Sequence, residues 1–284
     1  MRLNGHEIAD KLYDELKDRV IKLKKHNITP HLVVFLIGKN PASIAYVTQK
    51  QKKGEDIGAK VTVLTYEPSV TTEELVEKIK LLNGDPFVHG ILIQRPLPEH
   101  IDVDTLEQLT NPQKDIDGFH PNSPYTLPLP LAVVRILEEV YQLKTKQKAA
   151  GFNKWLQKQH IVLLGKGPTG GGPIITYLNT LNVSPQLIDS KTKEPEKLMK
   201  QADIVISAVG KKRTIKPEML KQGVILISVG INRDKNNKLH GDYEEDEIKT
   251  IASYYTPTPG GVGPVNVAML TENILTATEK QTNS

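Results

Sequence analysis

Two α/β domains built on parallel sheets are the fold class this 284-residue sequence predicts, and three observations predict it. Short apolar runs rich in β-branched residues alternate with segments of helical period. Four prolines crowd one stretch, Pro121 to Pro130, and read as a bend between domains. A second strand-and-helix series follows that bend. Alternation of this kind means parallel strands covered by helices, because each crossover carries the chain back to the same end of the sheet.

The elements follow in order. Ile8, Leu12, Leu16, Val20 and Leu23 recur every three or four residues, an amphipathic helix. His31 to Leu36 is a buried strand ended by Gly38. Asn40 and Pro41 open a helix, one as N-cap and one in the first turn, and Gly58 stops it after Ile57. Lys60 to Thr65 reads as a strand, Thr72 to Leu82 as a helix and His89 to Ile93 as a third strand; this first unit ends near Asn122. Leu131 to Leu143 is helical, with Leu131, Val134, Leu137 and Val140 on one face. Lys144 to Lys154, basic and poor in apolar residues, is expected to be a solvent loop. Strands then fall near Ile161–Leu164, Gln186–Ile188, Ile204–Ser207, Val224–Ser228 and Ser253–Tyr255, with helices between the first four. Val265 to Glu279 closes the series as a helix, and Lys280 to Ser284 is expected to fray.

Composition excludes several chemistries. With no Cys there is no disulfide framework, thiolate-held zinc, iron–sulfur cluster or thiol nucleophile. The eight His residues are scattered singly, so no metal site is expected. A net charge of +4, dispersed along the chain, argues for a solvated surface and against a nucleic-acid partner. No window approaches the ~18 apolar residues of a membrane span, and Met1 to Lys25 lacks a signal-peptide core. A soluble, cytoplasmic protein is the expectation.

Three stretches carry chemistry. Gly165-Lys166-Gly167-Pro168-Thr169-Gly170 is a G-x-G-x-x-G between a strand and a helix, with Gly171 and Gly172 following. Such glycines let a pyrophosphate approach the backbone at a helix N-terminus. Asp189 ends the next strand, 19 residues past Gly170, where a carboxylate reaches ribose hydroxyls. Ala208, Val209 and Gly210 end a later strand, where a cofactor could lie across the sheet edge or small residues could simply finish a strand. In the first domain, Tyr46 and Lys50 share a helix face, Gln94 ends a buried strand and Asp117 sits in a Lys114-Asp115-Ile116-Asp117-Gly118 turn. Taken singly, that pair is an ordinary solvated face and that turn an ordinary Asp-Gly turn. The last stretch, Thr256 to Pro264, interleaves Pro and Gly, including Gly261 and Pro264, far beyond what one turn needs.

Together these residues resemble the bifunctional methylenetetrahydrofolate dehydrogenase/cyclohydrolase family, over nearly the whole chain. The resemblance rests on Ile37 to Ser43 running on to Tyr46 and Lys50, on Gly90-Ile91-Leu92-Ile93-Gln94-Arg95-Pro96-Leu97-Pro98, on Lys114 to Pro121, and on Thr256 to Pro264. It implies a folate-binding catalytic domain over residues 1–122, to which a C-terminal helix of residues 265–284 returns. It implies a Rossmann-type NAD(P)-binding domain over residues 123–264, with a cleft between the two. The implied activities are oxidation of 5,10-methylenetetrahydrofolate with NADP and hydrolysis of the methenyl product to 10-formyltetrahydrofolate, by a homodimer.

By the same resemblance, Lys50 is the hydrolytic acid/base and Gln94 hydrogen-bonds it and holds the attacking water. Asp117 grips the pterin and Tyr46 stacks on the folate rings. Gly261 and Pro264 shape the substrate side. Gly165, Lys166, Gly167, Gly170, Gly171, Ser190, Ala208, Val209, Gly210 and Ile231 hold the cofactor. Departures bear on that cofactor: Lys166 stands where the family has Arg, Asp189 disfavours a 2′-phosphate, and Ser190 and Lys191 favour it, so NAD stays open beside NADP. The family's Pro-Cys-Thr-Pro stretch is missing after Pro121, Ser228 replaces an Asp, and Asn266 replaces a Thr. The competing readings are an enzyme keeping one of the two activities and a non-catalytic folate- or nucleotide-binding protein.

Overall fold

The computed structural model describes residues 1–236 and 238–282. In chain order its first elements are α1 (Gly5–Lys25), β1 (His31–Ile37), α2 (Pro41–Asp56), β2 (Lys60–Tyr66), α3 (Thr72–Gly84), β3 (Gly90–Ile93) and α4 (Val103–Leu109). Then come α5 (Pro128–Thr145), α6 (Phe152–Leu156), β4 (Ile161–Leu164), α7 (Gly171–Thr180), β5 (Gln186–Ile188), α8 (Pro195–Met199) and β6 (Ile204–Ser207). The last are β7 (Ile225–Ser228), β8 (Asn232–Arg233), β9 (Leu239–His240), α9 (Glu245–Ile248), β10 (Tyr254–Tyr255) and α10 (Val262–Thr282). The chain divides into two units: Lys11–Pro128 with the segment from Val267, and Met1–Asp10 with Leu129–Asn266.

The first of these units holds a three-stranded parallel sheet in the order β2-β1-β3. Because side chains alternate along a strand, β1 feeds two cores. Leu32, Val34 and Leu36 pack with Val47 of α2 and with Leu270, Ile274 and Ala277 of α10. Val33, Phe35 and Ile37 pack with Leu75 and Ile79 of α3 and Leu106 of α4. Thus β1 reads as a continuous apolar run because helices cover both of its faces. The helix ends are set locally. The Asn40 side chain accepts from the Ala42 and Ser43 N–H groups, with Pro41 in the first turn, and Thr71 with Glu74 forms a reciprocal capping box on α3. At the far end of α3, the Lys114 ammonium donates to the Leu82 and Asp85 carbonyls at 2.8 and 2.7 Å.

The other unit holds a five-stranded parallel sheet in the order β10-β7-β6-β4-β5. Winding reverses between β4 and β6, so the loops after these two strands meet at the switch point where open α/β sheets bind ligands. The N-terminus also joins this unit: Leu3 N–H donates to the Tyr255 carbonyl at 2.8 Å and Tyr255 N–H to the Met1 carbonyl at 3.0 Å. Residues 1–10 group by their contacts with this second unit; an edge strand offers its unpaired backbone to any extended segment.

Several expectations need correcting. Lys144 to Lys154 is not a bare solvent loop: a turn of 3-10 helix at Ala149–Gly151 leads into α6. Phe152 and Leu156 are buried there, and the Tyr141, Phe152 and Trp155 rings cluster at 5.6 to 6.1 Å. The expected helix between β6 and β7 is one 3-10 turn, Pro217–Met219. Helix α4 and the antiparallel pair β8–β9 are additions. α4 escaped notice because only Leu106 of its residues is buried, and it is held by the Asp102 cap on Thr105 N–H. Helix α10 begins at Val262, so Gly263 and Pro264 lie in its first turn instead of a loop. It continues through Lys280 to Thr282 without fraying, while residues 283 and 284 of the expected fraying end lie outside the described residues.

Candidate active site

Lys50, Gln94 and Asp117 gather beside the carboxyl edge of the three-stranded sheet. Helix α2, started by the Asn40 cap, places Tyr46 and Lys50 one turn apart. Gln94 follows the last residue of β3 and stays in register through its N–H bond to the Phe35 carbonyl, 2.9 Å. Its side-chain amide donates to the Arg95 carbonyl at 2.6 Å, which turns Oε1 toward the Lys50 ammonium, 3.0 Å away. Lys50 also borders a small cavity lined by Leu32, Val61, Leu270 and Ile274. Burial among these groups lowers its pKa below the ordinary lysine value, and the Asp117 charge opposes that shift.

Asp117 is the mirror case. Burial raises its pKa, against the pull of Lys50 and Arg95. Its carboxylate accepts no hydrogen bond among the described residues. By contrast Asp115, two residues earlier, is buried and accepts the His120 N–H at 2.8 Å. Both residues line a second small cavity with Ile91, Ile93 and Phe119, but only the Asp115 carboxylate is engaged in building the loop. Gly118 has φ +78°, and a Cβ there would meet the Tyr125 carbonyl oxygen at 2.8 Å, so the turn requires glycine. Arg95 was not singled out from the sequence. It pairs with Glu107 and lies over the Phe119 ring at 4.2 Å. The signal was an Arg in the Gly90 to Pro98 stretch, between two otherwise apolar runs.

The glycine-rich residues form a second site in the other unit. Gly165 leaves β4 with φ +88°, and a Cβ on it would sit 2.8 Å from the Ala208 carbonyl oxygen. A Cβ on Gly171 would sit 1.9 Å from the Gly165 carbonyl oxygen, so loop and helix α7 touch backbone to backbone. Gly167 faces open space, and no side chain caps the start of α7. Bare backbone at the N-terminus of a ten-residue helix, at a switch point, fits a dinucleotide pyrophosphate.

Ala208, Val209, Gly210 and Ile231 lie at the ends of β6 and β7, with Val209 and Ile231 each 42% exposed. Lys166 and Asp189 form an ion pair at 2.9 Å. That hydrogen bond, with the Lys191 N–H, holds the Asp189 pKa down to about 2. Ser190 is exposed beside them. Gly261 is buried against the Pro257 carbonyl, whose oxygen a Cβ would meet at 2.4 Å. No cluster able to hold a metal ion occurs among the described residues, and none of their helices is long and apolar enough to cross a membrane.

Comparison with known proteins gives concordant matches. Residues 3–117 match the family model of the tetrahydrofolate dehydrogenase/cyclohydrolase catalytic domain, and residues 130–282 that of the NAD(P)-binding domain of the same enzymes. The chain is 39% identical to the bifunctional protein FolD of Geobacillus thermodenitrificans, over 97% of this chain and 96% of that one. Among solved structures, it is similar to the bifunctional FolD dehydrogenase/cyclohydrolase of Campylobacter jejuni, at TM-score 0.89, 35% identity and 99% coverage of both chains. It is also similar to the Trypanosoma brucei enzyme solved with NADP and an inhibitor, at TM-score 0.88 and 27% identity, over 100% of this chain and 99% of that one.

Proposed function

Because this chain belongs to the tetrahydrofolate dehydrogenase/cyclohydrolase family, we propose that Lys50 is its hydrolytic acid/base, oriented by Gln94, with Asp117 and Tyr46 holding the folate. The enzyme oxidises 5,10-methylenetetrahydrofolate with NADP and hydrolyses the methenyl product to 10-formyltetrahydrofolate. The observation that carries the residue roles is the Lys50–Gln94 hydrogen bond in apolar surroundings, beside a carboxylate with its acceptor sites free.

In hydrolysis, neutral Lys50 takes a proton from water as the water oxygen bonds to the cationic methenyl carbon. Lys50 then returns a proton to the ring nitrogen as its carbon–nitrogen bond breaks, and the new hydroxyl releases its proton to leave the formyl group. Gln94 fixes the amine through Oε1 and keeps it aimed. Asp117 offers two acceptor oxygens, matched to the paired N–H groups of a pterin edge. Tyr46 supplies an aromatic face for stacking.

NADP, when bound, supplies the two-electron acceptor for the oxidation. Gly165 to Gly171 would hold its pyrophosphate, Ala208 to Gly210 and Ile231 its apolar portions, and Lys166 with Ser190 the 2′-phosphate. Gly261 and Pro264 are assigned to the substrate on the family's pattern alone. A cytoplasmic homodimer accompanies this reading on the family's pattern.

The test follows absorbance of purified protein with methylenetetrahydrofolate and either NADP or NAD, and separately the loss of the methenyl compound above its uncatalysed rate. Both activities with NADP are expected. Hydrolysis without reduction of either cofactor would reduce the chain to one activity; silence in both would refute the reading.

A further inference from the structure

Asp242 is completely buried and serves no step of the hydrolysis or the oxidation. It lies just beyond β9, under the crossing of the segments that follow β6 and β7. Its Oδ2 accepts the Ser207 hydroxyl at 2.6 Å and the Val209 N–H at 3.2 Å, and its Oδ1 accepts the Lys211 N–H at 2.9 Å. Its own N–H donates to Ser228 Oγ at 3.0 Å, and its carbonyl accepts the Ile215 N–H at 2.9 Å. One residue thus ties together the ends of β6 and β7 and the segment Val209 to Lys211.

The backbone is shaped to admit this carboxylate. A Cβ on Gly230 would lie 2.2 Å from the Gly210 nitrogen and 2.4 Å from Asp242 Oδ2; one on Gly241 would lie 2.7 Å from Ser228 Oγ. Gly210 itself has φ +70°. Above the carboxylate, Val209 and Ile231 remain exposed, and the Asn232 amide donates to the Gly210 carbonyl at 3.3 Å. Burying a carboxylate is costly unless its donors are fixed. Here two of the three donors are backbone N–H groups of the segment that presents Val209. The carboxylate and that segment therefore fix each other.

We propose that Asp242 is a positioning residue of the dinucleotide site: it touches no cofactor itself, and it holds Ala208 to Lys211 and Gly230 to Ile231 in the arrangement that binds one. This rests on the reading of Val209, Gly210 and Ile231 as NADP-binding residues. The groups assigned to hydrolysis, Lys50, Gln94 and Asp117, belong to the other unit, so hydrolysis is the internal control.

The experiment uses the full chain with Asp242→Asn and, as a milder change, Ser207→Ala. NADPH affinity is read by fluorescence titration, NADP KM and kcat by the oxidation assay, and hydrolysis of the methenyl compound separately. Asp242→Asn should weaken NADPH binding and raise the NADP KM about tenfold or more, the size of one lost charge-assisted hydrogen bond. Ser207→Ala should shift both the same way by about threefold. Hydrolysis should stay within about twofold in each.

Unchanged NADPH affinity in Asp242→Asn would overturn the proposal. So would equal loss of both activities at unchanged NADP KM, the mark of a purely structural role. If Asp242→Asn fails to fold, Ser207→Ala decides alone, and wild-type affinity there overturns the proposal. Failure of the wild type to bind NADPH would instead remove the cofactor reading, and the proposal with it.

Discussion

At the scale of single residues, Lys50, the proposed base, shows how burial on a helix face works against a charged amine. Desolvation opposes its charged form and the Asp117 charge supports it, with desolvation the larger effect. The hydrolysis rate should therefore rise with pH to a plateau whose midpoint lies below the ordinary lysine value of 10.5. Lys50→Met should lower hydrolysis by at least ~10²-fold. The same burial makes a stability statement. A lysine with a lowered folded-state pKa binds its proton less readily folded than unfolded. Its contribution is fully present above about 10.5 and is lost as pH falls through the lowered value. Lys50→Met escapes that loss, so its Tm should exceed the wild type at low pH, and the gap should close toward alkaline pH. A methionine variant that melts below the wild type at every pH, or retains hydrolysis, contradicts the role.

At the scale of elements, the strand-to-helix turn from β4 to α7 tests whether glycines serve packing or ligand. A Cβ on Gly171 would meet the Gly165 carbonyl oxygen at 1.9 Å and a Leu163 methyl at 2.8 Å; one on Gly167 would meet nothing within 4 Å. Gly171→Ala should cost roughly 3 kcal/mol or more of stability through overpacking. Gly167→Ala should melt like the wild type and show its effect in NADP KM alone. Thermal melts beside oxidation kinetics separate the two; equal Tm losses would show that Gly167 serves packing as Gly171 does. The G-x-G-x-x-G spacing was legible in the sequence because it combines a strand, a turn and a helix start. Which glycine serves the fold and which leaves room was not, because that depends on where the Gly165 and Ala208 carbonyls lie.

At the scale of the whole molecule, chain order and unit membership part company. The first ten residues belong with Leu129–Asn266, and the segment from Val267 belongs with Lys11–Pro128. Leu3 is 2% exposed, and its N–H pairs with the Tyr255 carbonyl. Leu3→Ala should therefore destabilise by about 2–4 kcal/mol. Its effect should appear in the unit that carries the NADP site: saturating NADP should recover part of the lost Tm, because a ligand bound only to the folded state stabilises by mass action, ~2.7 kcal/mol at a hundredfold excess over Kd. A Tm unchanged by the substitution would show that the Met1 to Leu3 edge contributes little.

The sequence by itself determined the α/β class, the strand cores and several helix starts, and it named the candidate residues of both sites. Each of these is written in nearest neighbours: period, caps, glycine turns and the order of motifs. Helix α6 was hidden because its burial depends on Tyr141, a partner on another element. The role of Met1 to Leu3 was hidden because edge pairing joins residues some 250 positions apart. Asp242 went unremarked in the sequence, since nothing local reveals that it is buried among Ser207, Val209 and Lys211. Only tertiary structure decided that the Asp115 carboxylate binds backbone while the Asp117 carboxylate stays free, that Lys166 pairs with Asp189, and that Gln94 turns its oxygen to Lys50. The physical reason is shared: desolvation and hydrogen-bond satisfaction are set by whatever the fold brings within about 3 Å, and residue spacing along the chain does not encode that distance.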